Sequence, residues 1–313
     1  MTVEVFKTIC RLSQKELKET AYNYLASHNY EVVNEKGFLY AKGDVPVLLV
    51  AHMDTVHRER CTEIIESNGK TSSPQGIGGD DRCGIYIIMN IIRDLHCSVL
   101  FCEDEEIGMV GAKQFVKTHY LDHLDVNYII EFDRKGNNDA VFYDCDNPKF
   151  TDFICNTTGF KESFGSFSDI SQVAPASGIA AVNLSCGYYK AHTKDEYVIF
   201  DEMLNTIEVA KKLITTESKA YEYIESKWTY NYDGWMNKRH AVPTYHYEEP
   251  KQLSFFDSAP KSHDVILEVC YMEADGVERT GFAVADTKAE AWVEFFMSYP
   301  NVCFDMIFDY WFS

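Results

Sequence analysis

Residue types that bind divalent metal ions recur at five places in this chain, and each place sits at the end or opening of a regular element. Ala51-His52-Met53-Asp54 directly follows an apolar run, Val45 to Val50. Gly78-Gly79-Asp80-Asp81-Arg82-Cys83-Gly84 opens an apolar-rich helical stretch. Glu103-Asp104-Glu105-Glu106-Ile107-Gly108 follows a strand-like run, and Glu131-Phe132-Asp133-Arg134 closes another. Ala191-His192-Thr193-Lys194-Asp195 lies beyond a third. Imidazole and carboxylate are ligands that zinc accepts, with a position left open for water or substrate. Two such ions about 3.5–4 Å apart can clamp an attacking water and the oxygen of the group it attacks. That chemistry needs one carboxylate to bridge the pair and another, off the ions, to take a proton. His52 with Asp54 also suits a carboxylate that holds the far ring nitrogen and fixes the tautomer.

The elements that must position these groups are legible in the hydrophobic pattern. Ser13 and Glu16 form a capping-box pattern opening a helix through about Ser27. Tyr30 to Val33 and Phe38 to Ala41 read as a hairpin turning at Glu35-Lys36-Gly37. Strands are expected over Val45 to Val50, Ser98 to Cys102, Val126 to Phe132 and Ile179 to Leu184. Helices are expected over Arg82 to Leu95, Val110 to His119, Phe150 to Asn156, Ile170 to Ala174 (stopped by Pro175) and Asp201 to Glu217. Continuous apolar strands alternating with helices predict an α/β fold, a mainly parallel or mixed sheet with helices on both faces. In such a sheet ligands bind outside the carboxyl ends of the strands, so the five places converge on one edge.

With 313 residues the chain can form one large core plus an appendage. The pattern divides it into a catalytic domain over residues 1–226, a linker or extended arm over 227–263 rich in Tyr, Trp and Pro, and a small α+β, ββαβ-like appendage over 264–313. In the appendage, Val265 to Met272 and Thr280 to Val284 read as a hairpin, Lys288 to Met297 as a helix and Val302 to Tyr310 as a strand. The net charge of −20 argues against direct nucleic-acid binding, which needs clustered Lys and Arg. No run approaches the roughly 20 apolar residues of a membrane helix, and no secretory pattern opens the sequence. The ten cysteines lack paired short spacings and read as reduced thiols of a cytoplasmic protein.

In their order and spacing the five motifs resemble the metallopeptidase superfamily with co-catalytic zinc, the zinc exopeptidases of clan MH, over roughly residues 10 to 217. The resemblance implies that fold, described as zinc-exopeptidase-like or phosphorylase/hydrolase-like, and hydrolysis of an amide bond, most simply as an aminopeptidase on short peptides. A deacylase or amidohydrolase of small N-acyl substrates is the alternative within the superfamily, and a non-catalytic metal-binding module the alternative outside it. The resemblance also implies two divalent ions, zinc with cobalt or manganese as substitutes. His52 and Asp133 would hold one ion, Glu106 and His192 the other, and Asp80 would bridge them. Glu105 would be the general base and Asp54 would orient His52. A cis peptide after Asp80 is implied as well. Neither interval between motifs has room for an inserted domain, so the plan is nearest to an uninserted bacterial leucyl aminopeptidase. Asp80-Asp81-Arg82 and Glu105-Glu106-Ile107-Gly108 are more similar to the tetrahedral glutamyl aminopeptidases.

Each residue also has a simpler reading. Asp80 could cap the helix that follows, and Glu106 could favour a helix dipole. Arg134 either grips a substrate carboxylate or phosphate or forms a structural ion pair. Asp169, in Gly165-Ser166-Phe167-Ser168-Asp169, either lies near the substrate, as the similar family Ser-Asp does, or caps a helix. Arg82 and Cys83 read as structural, and His57, His96, His119 and His123 as ordinary surface or core histidines. In the arm, Gln252-Leu253-Ser254-Phe255-Phe256 resembles the short motif by which bacterial proteins dock on the replication sliding clamp. Its alternative is a hydrophobic strap on the main domain.

Overall fold

The structure, a computed structural model, describes residues 1–165, 167–226, 265–272, 278–285 and 307–312. The chain divides into two compact units, Met1–Ser226 and Lys227–Ser313. The first unit carries helices α1 (Val3–Arg11), α2 (Gln14–Ser27), α3 (Gly79–Ile91), α4 (Val110–Phe115), α5 (His119–Asp122), α6 (Pro148–Thr158), α7 (Ile170–Ser177) and α8 (Phe200–Thr215). Its strands are β1 (Val32–Glu35), β2 (Phe38–Ala41), β3 (Val45–His52), β4 (Ile65–Ser67), β5 (Lys70–Ser72), β6 (Cys97–Cys102), β7 (Tyr128–Arg134), β8 (Asp139–Val141), β9 (Lys161–Ser163), β10 (Ala181–Ser185), β11 (Tyr188–Tyr189) and β12 (Tyr197–Val198).

Eight strands form one mixed sheet in the order β1-β2-β6-β3-β7-β10-β8-β9. Its centre, β6-β3-β7-β10, is parallel. The flanking pairs β1–β2, β2–β6 and β10–β8 are antiparallel. Adjacent residues of β3 serve opposite faces, as strand geometry requires. Val47, Leu49 and Ala51 join one buried cluster with residues of α1, α3, α6 and α8, including Phe6, Ile88 and Met203. Leu48 and Val50 join the other, with Phe115 of α4 and Val173 of α7. The continuous apolar runs that suggested central strands are therefore strands covered by helices on both sides. A second sheet, β11-β12-β5-β4, joins the hairpin before Gly78 to the segment around His192.

Ser13 caps α2 through a capping box with Glu16. Helix α1 was not expected, α3 ends at Ile91 rather than Leu95, and two further helices depart from expectation. The stretch expected as one helix over Val110 to His119 is broken. Thr118 is extended, and its hydroxyl donates to Phe115 O at 2.7 Å, a local bond that competes with helix continuation. Helix α7 runs through Pro175 to Ser177 and stops at Gly178, whose left-handed φ of 70° closes it. No described helix is long and apolar enough to cross a membrane.

In the second unit, β13 (Val265–Met272), β14 (Glu278–Ala285) and β15 (Ile307–Phe312) form an antiparallel sheet in the order β14-β13-β15. Val269 and Tyr271, two residues apart on β13, are buried. The expected arm over 227–263, with Gln252 to Phe256, and the expected helix over 288–297 lie outside the described residues.

Candidate metal centre

The site is assembled at the carboxyl ends of the central parallel strands. His52 is the last residue of β3 and is fully buried. Its Nδ1 faces Asp54 Oδ1 at 3.1 Å, and its Nε2 faces Asp80 Oδ1 at 3.1 Å and Asp133 Oδ1 at 3.7 Å. Burial alone would lower the imidazole pKa, but the carboxylates of Asp133, Asp54 and Asp80 outweigh it and raise it. Asp54 also accepts the backbone N–H groups of Glu105 and Glu106, each at 3.0 Å. One side chain thus aligns His52 and the turn that follows β6.

Asp80 lies in the turn that leads into α3. Gly76 and Gly78 take φ values of 93° and 66°, which a side chain would strain. Asp80 and Asp81 have non-helical backbone angles, and the bond between them is cis. The neighbouring Asp81, not Asp80, behaves as a helix cap. Its Oδ1 accepts Gly84 N–H at 2.8 Å, and its Oδ2 accepts His52 N–H at 3.3 Å. Asp80 is left to face the imidazoles, with its other oxygen, Oδ2, 3.2 Å from His192 Nε2. Burial pushes Asp80 up, but hydrogen bonds with His192 and His52 prevail and hold it far below the usual carboxylate range.

Glu106 Oε2 lies 3.1 Å from His192 Nε2, and Glu106 Oε1 is buried without a partner. His192 sits on the loop between β11 and β12 with its side chain 57% exposed. Asp133, near the end of β7, is fixed from three sides. Its N–H donates to Asn183 Oδ1 at 2.8 Å, while Ser168 Oγ donates to Oδ2 at 3.0 Å and Tyr188 OH to Oδ1 at 3.1 Å. Glu105 is 6% exposed, and burial pushes its carboxyl up to about 9.

His52, Asp80, Glu106, Asp133 and His192 are therefore brought together, with Asp54 and Glu105 beside them. Among the described residues, ligand atoms close enough to share an ion occur in two sets, His52 with Asp80 and Glu106, and His52 with Asp81 and Asp133. The donors fit divalent cations. Two imidazole Nε2 atoms and several carboxylate oxygens converge, and burial of such charges is stable only when they are paired or coordinated.

Arg134 and Asp169 are the two residues expected near substrate. Arg134 directs Nε and Nη2 onto Asp139 Oδ2 at 3.2 and 3.0 Å, which is the structural ion-pair alternative. Asp169 is wholly buried, makes no side-chain cap, and is pushed up to about 6 by burial. Arg82 is structural, donating to Met53 O and Leu12 O. Sequence reasoning missed Glu196, Ser168 and Tyr188, and it passed over His57. Glu196 is the last residue before β12 and fully buried, and it binds His57 and the Gly78–Asp80 turn. Its signal was its place four residues after His192, which spacing alone does not interpret.

Residues 38–197, just over half of the chain, match peptidase family M28. The chain belongs to peptidase family M28. As an M28 member it is a metal-dependent peptidase of the co-catalytic zinc exopeptidase superfamily. Solved structures agree on the fold. The aminopeptidase PepT of Bacillus cereus matches at TM-score 0.57 and 15% identity, over 68% of this chain and 96% of that one. A tripeptidase of Staphylococcus aureus matches at 0.56 and 12%, over 68% and 96%. The TET1 peptidase of Pyrococcus horikoshii matches at 0.52 and 15%, over 69% and 98%. No curated protein sequence matches the chain significantly. In this M28 chain all five expected ligand residues lie between 38 and 197, inside the matched span.

Proposed function

We propose that the chain is a dinuclear zinc aminopeptidase acting on short peptides. The observation that carries this reading is the position of Asp80, one oxygen 3.1 Å from His52 Nε2 and the other 3.2 Å from His192 Nε2. A carboxylate held between two imidazoles has the geometry of a bridge. His52 and Asp133 would hold one ion, Glu106 and His192 the other, and Asp80 both. When bound, such ions polarise the scissile carbonyl and acidify an attacking water.

The chain's own residues do the rest. Asp54 orients His52 by accepting at Nδ1, which directs Nε2 toward the site. Glu105 takes the proton of the attacking water on its carboxylate and returns it to the leaving amine. The concentration of carboxylates suits the ammonium of a free N-terminus.

The test is metal content together with turnover on free and N-acetylated aminoacyl substrates. Close to two zinc ions per chain and a strong preference for free amines are expected. Elemental analysis showing no metal after reconstitution would sink the two-ion reading. Equal cleavage of N-acetylated substrates would move the assignment to a deacylase.

A further inference from the structure

We propose that Glu196, steadied by His57, is a positioning residue that sets the bridging carboxylate of Asp80; the proposal rests on the two-ion reading above. Glu196 is fully buried, so its charge needs donors. Three supply it. Oε1 accepts the backbone N–H of Asp80 at 3.0 Å. Oε2 accepts the backbone N–H of Gly78 at 2.9 Å and faces His57 Nε2 at 2.8 Å. The carboxylate thus grips the turn on both sides of Gly79, directly at the residue whose side chain spans the two imidazoles.

The packing around this grip leaves no slack. A Cβ on Gly79 would meet Tyr188 Cβ and Val198 Cγ2 at 2.8 Å and Glu196 Oε1 at 3.3 Å. A Cβ on Gly76 would overlap the His57 ring. The turn is therefore seated on the β11–β12 segment without an intervening side chain. That same segment carries His192, four residues before Glu196. His57 in turn follows the His52-Met53-Asp54 motif and donates its backbone N–H to Thr55 Oγ1 at 3.0 Å. Through Glu196 the segments bearing His52, Asp80 and His192 are joined at one buried carboxylate. Glu196 faces Asp80 only through its backbone N–H, so its role is to aim that residue.

Glu196→Gln keeps size and shape but replaces one acceptor oxygen with a donor. Whichever way the amide turns, a donor then faces an N–H. Partners of this kind typically contribute 10–100-fold to metal affinity. The experiment is zinc titration of the metal-stripped full-length protein against a competing chromophoric chelator. Wild type, Glu196→Gln, His57→Ala and His57→Gln are compared, and unfolding of each metal-stripped protein is followed in parallel. Glu196→Gln is expected to lose about 10–100-fold in zinc affinity. His57→Ala should lose part of that, and His57→Gln, whose amide can still donate to Oε2, should recover it. If Glu196→Gln does not fold, the His57 pair decides the matter. Variants with wild-type zinc affinity overturn the proposal alone. Equal losses in His57→Gln and His57→Ala also overturn it, because hydrogen bonding is then not the cause. Wild-type protein that takes up no zinc overturns the two-ion reading, and this proposal with it.

Discussion

Asp54 Oδ1 accepts the backbone N–H of Glu105 at 3.0 Å while facing His52 Nδ1 at 3.1 Å. The proposed base and a proposed ligand are therefore indexed to one carboxylate oxygen. Asp54→Asn must turn a donor toward at least one of these groups or toward the Glu106 N–H. The expected result is a 10–100-fold loss of zinc affinity, with activity falling at least as far. Affinity and activity unchanged from wild type would show that Asp54 does not hold the site.

Glu105 and Glu106 are neighbours with different predicted failures. Glu106 Oε2 lies 3.1 Å from His192, whereas Glu105 has burial and neighbouring charge but no such pairing. Glu105→Gln should cut turnover by about 10²–10⁴-fold or more and leave metal content intact. Glu106→Gln should weaken or lose one ion. Turnover and metal stoichiometry on both variants, side by side, make the comparison; full activity in Glu105→Gln on a confirmed substrate removes its assigned role.

Proton release should accompany metal uptake. The carboxylates of Asp80 and then Glu106 push His192, in the metal-free protein, up to about 11 from 6.5. The raised pKa stabilises the protonated, metal-free fold; that contribution is complete below 6.5 and is lost as pH rises through about 11. At pH 7 a ligating His192 must first give up its proton, so zinc affinity should rise with pH. Calorimetry in two buffers of different ionisation enthalpy measures the released protons directly, and a heat independent of buffer would contradict the expectation.

All proposed ligands lie before Ser226, within the first compact unit. A chain ending at Ser226 should therefore fold and retain the full metal content of the whole protein. A truncated protein that folds without metal would mean that a ligand lies in the second unit.

In the core, Leu49 is fully buried in the face that packs on α3 and α8. Leu49→Ala should cost about 2–5 kcal/mol by creating a cavity. Denaturant unfolding of the metal-stripped protein would measure it, and a loss under 1 kcal/mol would mean that the face repacks.

The parts of the fold legible in the sequence are those with dense local signals. Val45 to Val50 announced a strand covered on both faces because every residue there is apolar, and Ser13 with Glu16 announced a helix start. Strands β4, β5, β8, β9, β11 and β12 were not legible, since each has three residues or fewer. Pro175 misled because the stop signal is Gly178, three residues later. In the site, His52, Asp80 and Glu106 were singled out because their motifs recur in order. Glu196 was not, because its partners Gly78 and His57 lie 118 and 139 residues away. A buried carboxylate that serves backbone amides leaves no pattern in composition. Arg134 pairs with Asp139, a partner that spacing did not indicate.

His192 differs from the other proposed ligands in where it is anchored. His52 and Asp133 belong to sheet strands, Asp80 faces His52 in a buried contact, and the Glu106 N–H donates to Asp54, two residues beyond β3. His192 sits on a loop at a left-handed φ of 64° with more than half its side chain open to solvent. Such a centre has a sturdy side and a yielding side. A competing chelator or an incoming ion meets the yielding side first, so the two ions should exchange with the medium at unequal rates. If the centre holds two ions, the one held with His192 would turn over fast and the one held by His52 and Asp133 slowly, and two different metals could then be loaded stepwise.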